Sequence, residues 1–212
     1  MPRATKIVAT LGPACSSPEV LTRLLAAGVD CVRLNFSHGT AADHIARGVA
    51  VREAAKILGR EVSIMADLQG PKIRVGKFKD GKVELVTGQQ FILDADAELG
   101  DTDRVGLDYK ELPRDVSRGA ILLLNDGLIR LRVDAVDGPR IVTIVEVGGV
   151  LSNNKGINRM GGGLTAPTLT AKDMDDVKTA AQIGADYLAV SFPKSRQDMY
   201  MARQLIRAAG GS

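Results

Sequence analysis

The sequence is poor in aromatic residues and in cysteine, and it has little net charge. Aromatics make up 3% of its 212 residues and tryptophan is absent, which argues against a stacking platform for single-stranded nucleic acid. A formal net charge of +3 gives no basis for a nucleic-acid or membrane-surface partner. No run approaches 18 apolar residues, so no membrane-spanning helix is expected. The start, Met-Pro-Arg-Ala-Thr-Lys, has no apolar core and no cleavage site, so no signal peptide is expected. The two cysteines, Cys15 and Cys31, sit in apolar contexts without metal-ligand spacing. They are expected to be buried free thiols in a reducing, cytoplasmic setting. What is present is ordinary for a globular protein: 45% hydrophobic and 25% charged residues. A chain of this length forms one large domain or two modest ones, and buries enough surface to fold without a disulfide or structural metal.

The first 70 residues alternate strand and helix. Lys6 to Leu11 predicts a strand ending at Gly12-Pro13. Ser17-Pro18-Glu19 predicts a helix start, with a capping hydroxyl, proline at the first helical position and an acid against the dipole. Val20, Leu21, Leu24 and Leu25 form its apolar stripe, and Gly28 ends it. Further strands are expected over Val29–Ser37 and Val62–Leu68, with a helix between them from Ala41 to Leu58. From Pro71 to Pro167 the segments become short and strand-like, with hairpin signals at Asp80-Gly81 and Asp137-Gly138. This stretch predicts an all-β inserted domain, and it ends in the hinge-like Gly161-Gly162-Gly163. Alternation then resumes: a near capping box at Thr170–Asp173, a strand over Asp186–Phe192 and a helix over Gln197–Ala209. The expected division is therefore 1–70, 71–167 and 168–212.

An internal repeat links the two ends. Gly28-Val-Asp-Cys-Val-Arg-Leu-Asn-Phe36 aligns with Gly184-Ala-Asp-Tyr-Leu-Ala-Val-Ser-Phe192. Two equivalent helix-then-strand units imply parallel strands of one sheet. Period two puts Val32, Leu34 and Phe36 on one face and Arg33, Asn35 and Ser37 on the other. A polar face on a central parallel strand fits a barrel interior or a ligand pocket at the strand's C-terminal end. The expected fold class is α/β: the first four β/α units of a TIM-type (β/α)8 barrel, a fold that takes about 250 residues when complete, interrupted by an all-β, barrel-like insert.

The strand ends deliver Thr10 and Pro13, then Arg33, Asn35, Ser37 and His38, then Asp67, then Ser191. A guanidinium suits a planar anion, and the Asn, Ser and Asp oxygens suit a hard cation. Together they point to a phosphoryl or carboxylate site with a metal rather than a Ser-His-Asp site. Asp67 alone is equally a loop-capping residue. His44 is expected to be a solvated helix residue. Gly161–Gly163 has no helix with Lys-Ser/Thr after it, so it is not a Walker loop.

Arg33-Leu-Asn-Phe-Ser-His-Gly39, Asp67-Leu-Gln-Gly-Pro-Lys-Ile-Arg74, Leu124-Asn-Asp-Gly127, Leu151-Ser-Asn-Asn-Lys-Gly-Ile-Asn158 and Ala189-Val-Ser-Phe192 resemble, in order, the motifs of the pyruvate kinase family. The resemblance implies a barrel domain interrupted by a small β lid, and phosphoryl transfer between phosphoenolpyruvate and ADP to give pyruvate and ATP. It implies that Arg33 holds the phosphoryl group and that Ser191 contacts substrate. Asn35, Ser37, Asp67 and the Leu68 carbonyl would bind a monovalent cation. Asn35, Phe36, Ser37, His38, Arg74 and Lys155 would contact the nucleotide, the last two carried in by lid closure. The family's catalytic lysine and its Mg²⁺ (or Mn²⁺) ligands are expected beyond residue 212, so this chain alone is expected to be inactive. The whole protein is expected to be a cytoplasmic homotetramer. Lys72 stands where the family often has Glu, and relatives with Lys there tend not to need K⁺. The alternatives are another phosphate-handling barrel, or a non-catalytic nucleotide- or partner-binding module.

Overall fold

The computed structural model describes residues 4–71 and 73–211. The chain divides into two compact units, Met1–Pro71 with Pro167–Ser212, and Lys72–Ala166. The first unit opens with β1 (Val8–Thr10), α1 (Pro18–Ala26), β2 (Cys31–Asn35), α2 (Ala41–Ile57) and β3 (Ser63–Asp67). The second holds β4 (Lys77–Phe78), β5 (Lys82–Leu85), β6 (Gln90–Asp94), β7 (Leu99–Gly100), β8 (Arg104–Gly106) and α3 (Leu112–Asp115). It continues through β9 (Ile121–Leu124), β10 (Ile129–Asp137), β11 (Arg140–Val147), β12 (Gly149–Ser152) and β13 (Ile157–Arg159). The first unit then closes with α4 (Ala171–Ile183), β14 (Tyr187–Ala189) and α5 (Arg196–Ala208).

The first unit is built on a four-stranded sheet in the order β1-β2-β3-β14, with every neighbouring pair parallel. Parallel neighbours need crossovers, and helices supply them. Each helix start is set locally. Ser17 Oγ accepts from Val20 N at 3.3 Å, with Pro18 at the first helical position. Thr40 and Asp43, Thr170 and Asp173, and Ser195 and Asp198 form reciprocal capping boxes at α2, α4 and α5. Asp fills the third position in all three, its side chain reaching back to the cap backbone where the usual box has Glu or Gln.

Helices cover one face of the sheet. Val32, Leu34 and Phe36 from β2 and its exit, with Ile64 and Ala66 from β3, join Leu21, Leu25, Val51 and Ala180 in one buried cluster. Burying a leucine in such a cluster is worth about 1.5–3 kcal/mol. Arg33 and Asn35, on the alternate positions, stay only half-buried, as the period of two requires. β14 is also backed by a smaller cluster of Leu68, Leu169, Val177 and Ala202.

The second unit has its own core, including Phe91, Leu93, Leu122, Leu131 and Ile141. Its main sheet runs β13-β9-β10-β11-β6-β8, with pairs β12-β5 and β4-β7 beside it. Two expectations need correction here. The unit is not all β, because α3 makes one helical turn. Asp80-Gly81 does form a turn, with Gly81 at φ 77°, but β4 and β5 do not pair across it. Their backbones are taken elsewhere: Lys79 N donates to Gly100 O at 3.0 Å and Asn153 N to Gly81 O at 3.1 Å. The second hairpin signal does join paired strands. Asp137 is the last paired residue opposite Arg140, which leaves Gly138-Pro139 as the two-residue loop.

Candidate functional site

The C-terminal ends of the four parallel strands carry a connected row of polar groups. Register puts Thr10 opposite Arg33 and Asn35 opposite Asp67. Arg33 Nε donates to Asp67 Oδ2 at 2.7 Å and its Nη1 to Thr10 Oγ1 at 3.0 Å, while Nη2 also pairs with Asp67 Oδ2. Ser191, just beyond β14, donates its hydroxyl to the Leu68 carbonyl and lies 3.3 Å from Asp67 Oδ1. One residue from each strand or its exit is thus tied to the next.

Arg33 has five N–H donors, and three of them meet Thr10 and Asp67. Two, one on each terminal nitrogen, meet no other group among the described residues, on a side chain that is 34% exposed. Asp67 holds the guanidinium plane while the remaining donors are offered outward. Such an arrangement suits a planar or tetrahedral anion.

The cation-binding residues expected from the sequence lie in the same neighbourhood. Asn35 and Asp67 end neighbouring strands, and Asn35 Oδ1 accepts from Ser37 N at 3.0 Å. The expected set, an amide, a hydroxyl, a carboxylate and a carbonyl, is all oxygen, the chemistry that hard cations prefer. Asp67 already faces Arg33, and the Leu68 carbonyl already accepts from Ser191. Among the described residues, no group of three or more His, Cys, Asp or Glu side chains comes together as a metal site.

His44 departs from expectation. Phe36 is 1% exposed, with its ring in the core beneath the strand ends. His44 is not solvated but 2% exposed, with its ring stacked on Phe36 at 4.1 Å between centroids. The cause is spacing: His44 falls on the buried stripe of α2 with Gly48, Val51 and Ala55. Among the described residues neither ring nitrogen has a partner at full hydrogen-bond geometry. Burial therefore pushes the imidazole pKa below its ordinary value, although the nearby His38 backbone favours the charged form.

Ser37 is half-buried and His38 exposed. On the other unit, Arg74 bridges Gly156, and Val75 N donates to Lys155 O at 2.9 Å. Arg74 and Lys155 therefore sit on adjoining backbone segments, both half-buried. Lys72 lies outside the described residues. Both cysteines are free, but only Cys31 is buried; Cys15 is half-exposed in the turn before α1. Among the described residues no helix is long and apolar enough to cross a membrane.

Sequence inspection missed Lys172 and Asp173 as partners of the site loops. The Thr170–Asp173 pattern reads as a helix cap, and nothing local shows that Lys172 meets Phe36 O at 2.8 Å or that Asp173 meets Gly70 N at 3.0 Å. Those contacts span over a hundred residues of sequence.

Residues 2–212 match the family described as "Pyruvate kinase, barrel domain". Over 210 residues the chain is 56% identical to a pyruvate kinase of Haemophilus influenzae and to pyruvate kinase II of Salmonella typhimurium, covering 98% of this chain and 44% of each relative. It is 52% identical over 204 residues to a pyruvate kinase of Buchnera aphidicola, covering 95% of this chain and 43% of that protein. The chain thus spans less than half the length of these relatives. A family match along almost the whole sequence, with relatives this similar, makes the chain a member of the pyruvate kinase family.

Proposed function

We propose that the protein carrying this sequence transfers a phosphoryl group from phosphoenolpyruvate to ADP, taking up a proton and giving pyruvate and ATP. The observation that supports this most is Arg33, clamped by Thr10 and Asp67 with two donors left over at the C-terminal strand ends. Phosphoryl transfer passes through a loose transition state with charge spread over the moving group, so positioned positive charge is the main catalytic need. Arg33 supplies it, and Asp67 and Thr10 fix its plane before substrate arrives. Ser191 is proposed to contact the substrate. Asn35, Phe36, Ser37 and His38, with Arg74 and Lys155, are proposed to meet the nucleotide.

Asn35, Ser37, Asp67 and the Leu68 carbonyl would hold a monovalent cation, which would add positive charge beside the phosphoryl group. Lys72 is proposed to make added K⁺ dispensable, because a tethered ammonium brings the same charge; this rests on the sequence alone. Among the described residues no group of three or more His, Cys, Asp or Glu side chains comes together, and the Mg²⁺ or Mn²⁺ of the reaction is proposed to be held by residues outside this sequence. The 212-residue chain by itself is then expected to show no turnover. The half-barrel with a lid, and a tetramer for the whole protein, belong to the same proposal.

The test is phosphoenolpyruvate-dependent formation of ATP by the full-length protein, with and without K⁺. Turnover without K⁺ supports the proposal in full, and strong stimulation by K⁺ removes the role given to Lys72. Binding of ADP with no turnover under either condition favours a nucleotide-binding module instead.

A further inference from the structure

The candidate site is carried by two loops, one after β2 and one after β3, and the first turn of α4 grips both. Lys172 Nζ donates to the Phe36 carbonyl at 2.8 Å and to Asp176 Oδ2 at 2.5 Å. The next residue, Asp173, is completely buried. Its Oδ2 serves the helix cap, accepting from Thr170 N at 2.7 Å and Thr170 Oγ1 at 2.6 Å. Its Oδ1 leaves the helix and accepts from Gly70 N at 3.0 Å.

Adjacent residues of opposite charge therefore hold the backbones of two loops, a cation on a carbonyl and a carboxylate on an amide. Neither contact is needed to form α4, because the cap uses only one carboxylate oxygen and no lysine. Lys172 is 46% exposed and free to point into water, yet its ammonium is turned inward with the 14% exposed Asp176 behind it. Phe36 is fixed a second time through its ring, which stacks on His44 of α2. Asn35 and Ser37 flank Phe36, and Leu68 lies two residues before Gly70. The first turn of α4 thus holds the backbone directly before Ser37 and two residues after Leu68, beyond the reach of the sheet pairing that ends at Asn35 and Asp67.

We propose that Lys172 and Asp173 are positioning residues for nucleotide and cation binding, acting through Phe36 and Gly70 without touching a ligand. The kinetic part rests on the phosphoryl-transfer function proposed above; the structural part does not. Charge-assisted hydrogen bonds to backbone are among the stronger ones, and losing one is expected to change a local equilibrium about tenfold.

The test compares the full-length protein with Lys172→Met, Lys172→Arg and Asp173→Asn, by amide hydrogen exchange and steady-state kinetics. Lys172→Met is expected to speed exchange at residues 37–39 about tenfold and to raise KM for ADP more than it lowers kcat. Lys172→Arg, which keeps a donor, is expected to restore both. Asp173→Asn, which keeps one acceptor, is expected to speed exchange at residues 69 and 70. Unchanged exchange in Lys172→Met, or equal defects in the Met and Arg variants, overturns the proposal. If the unmodified protein has no turnover, the proposed function fails, while the exchange data still decide whether α4 positions the loops.

Discussion

At the scale of single residues, Arg33 and His44 are opposite cases. Arg33 is held by partners on both neighbouring strands, and its residual donors point to its use. Lysine in its place offers a point charge without the planar fork. On the proposed phosphoryl transfer, Arg33→Lys in the full-length protein is expected to lower kcat by about 10²–10³ while leaving the Kd for ADP within a few-fold. Unchanged turnover with weaker ADP binding would move Arg33 to the nucleotide side. His44 is buried with its ring on Phe36, and burial lowers its pKa from the ordinary 6.5, outweighing the opposing pull of the His38 backbone. A base whose pKa is depressed on folding binds fewer protons in the native state than in the unfolded one. Stability is therefore complete above pH 6.5 and is lost as pH falls through that value towards the native pKa, by at most about 1.4 kcal/mol per pH unit. Asp43, Asp101 and Asp115 have pKa values below their ordinary 3.8, so they act in a lower window. Urea unfolding from pH 7 to 5 is expected to show this slope, and His44→Phe to flatten it. An equal slope in the variant would assign it to another group.

At the scale of elements, the helices of the first unit are legible because their starts are chemical. A hydroxyl followed three residues later by an acid marks α2, α4 and α5 alike, and proline at the first position marks α1. How closely α2 and α4 approach is another matter, and it turns on Gly48. A Cβ there would overlap Ile183 Cγ2, so a hydrogen at this position is what lets the helices meet. Gly48→Ala is expected to destabilise the protein by roughly 1–3 kcal/mol even though alanine is the better helix former. Adding Ile183→Ala frees the space, so the double variant should be more stable than the two single losses summed. Strict additivity in thermal or urea unfolding would show that the contact is not what limits the approach.

At the scale of the whole molecule, the chain leaves one compact unit at Pro71 and returns at Pro167. The inserted unit keeps Phe91, Leu93, Leu122, Leu131 and Ile141 in a core of its own. A segment with a closed core of this kind can fold alone. Residues 72–166 expressed separately are expected to melt cooperatively with dispersed amide resonances; a non-cooperative melt would show that the first unit is needed. The first unit differs. β1 and β14 end its sheet, and Val8 and Tyr187 on them are more than half exposed. Unpaired edges with apolar side chains invite association.

The sequence by itself determined the parallel order of alternating strands and helices, the helix caps, the limits of the strand-rich insert and the polar face of β2. Those features depend on near neighbours: a residue three positions away for a cap, two for a strand face, a glycine or proline for a boundary. The motifs that carry the family resemblance are likewise contiguous. Tertiary structure alone decided that His44 lies buried against Phe36, that β4 and β5 pair with β7 and β12 instead of each other, and that Lys172 and Asp173 hold loops far from them in sequence. In each case the partner is remote along the chain, so the energy that settles the arrangement comes from burial and hydrogen bonding that exist only once the elements have met.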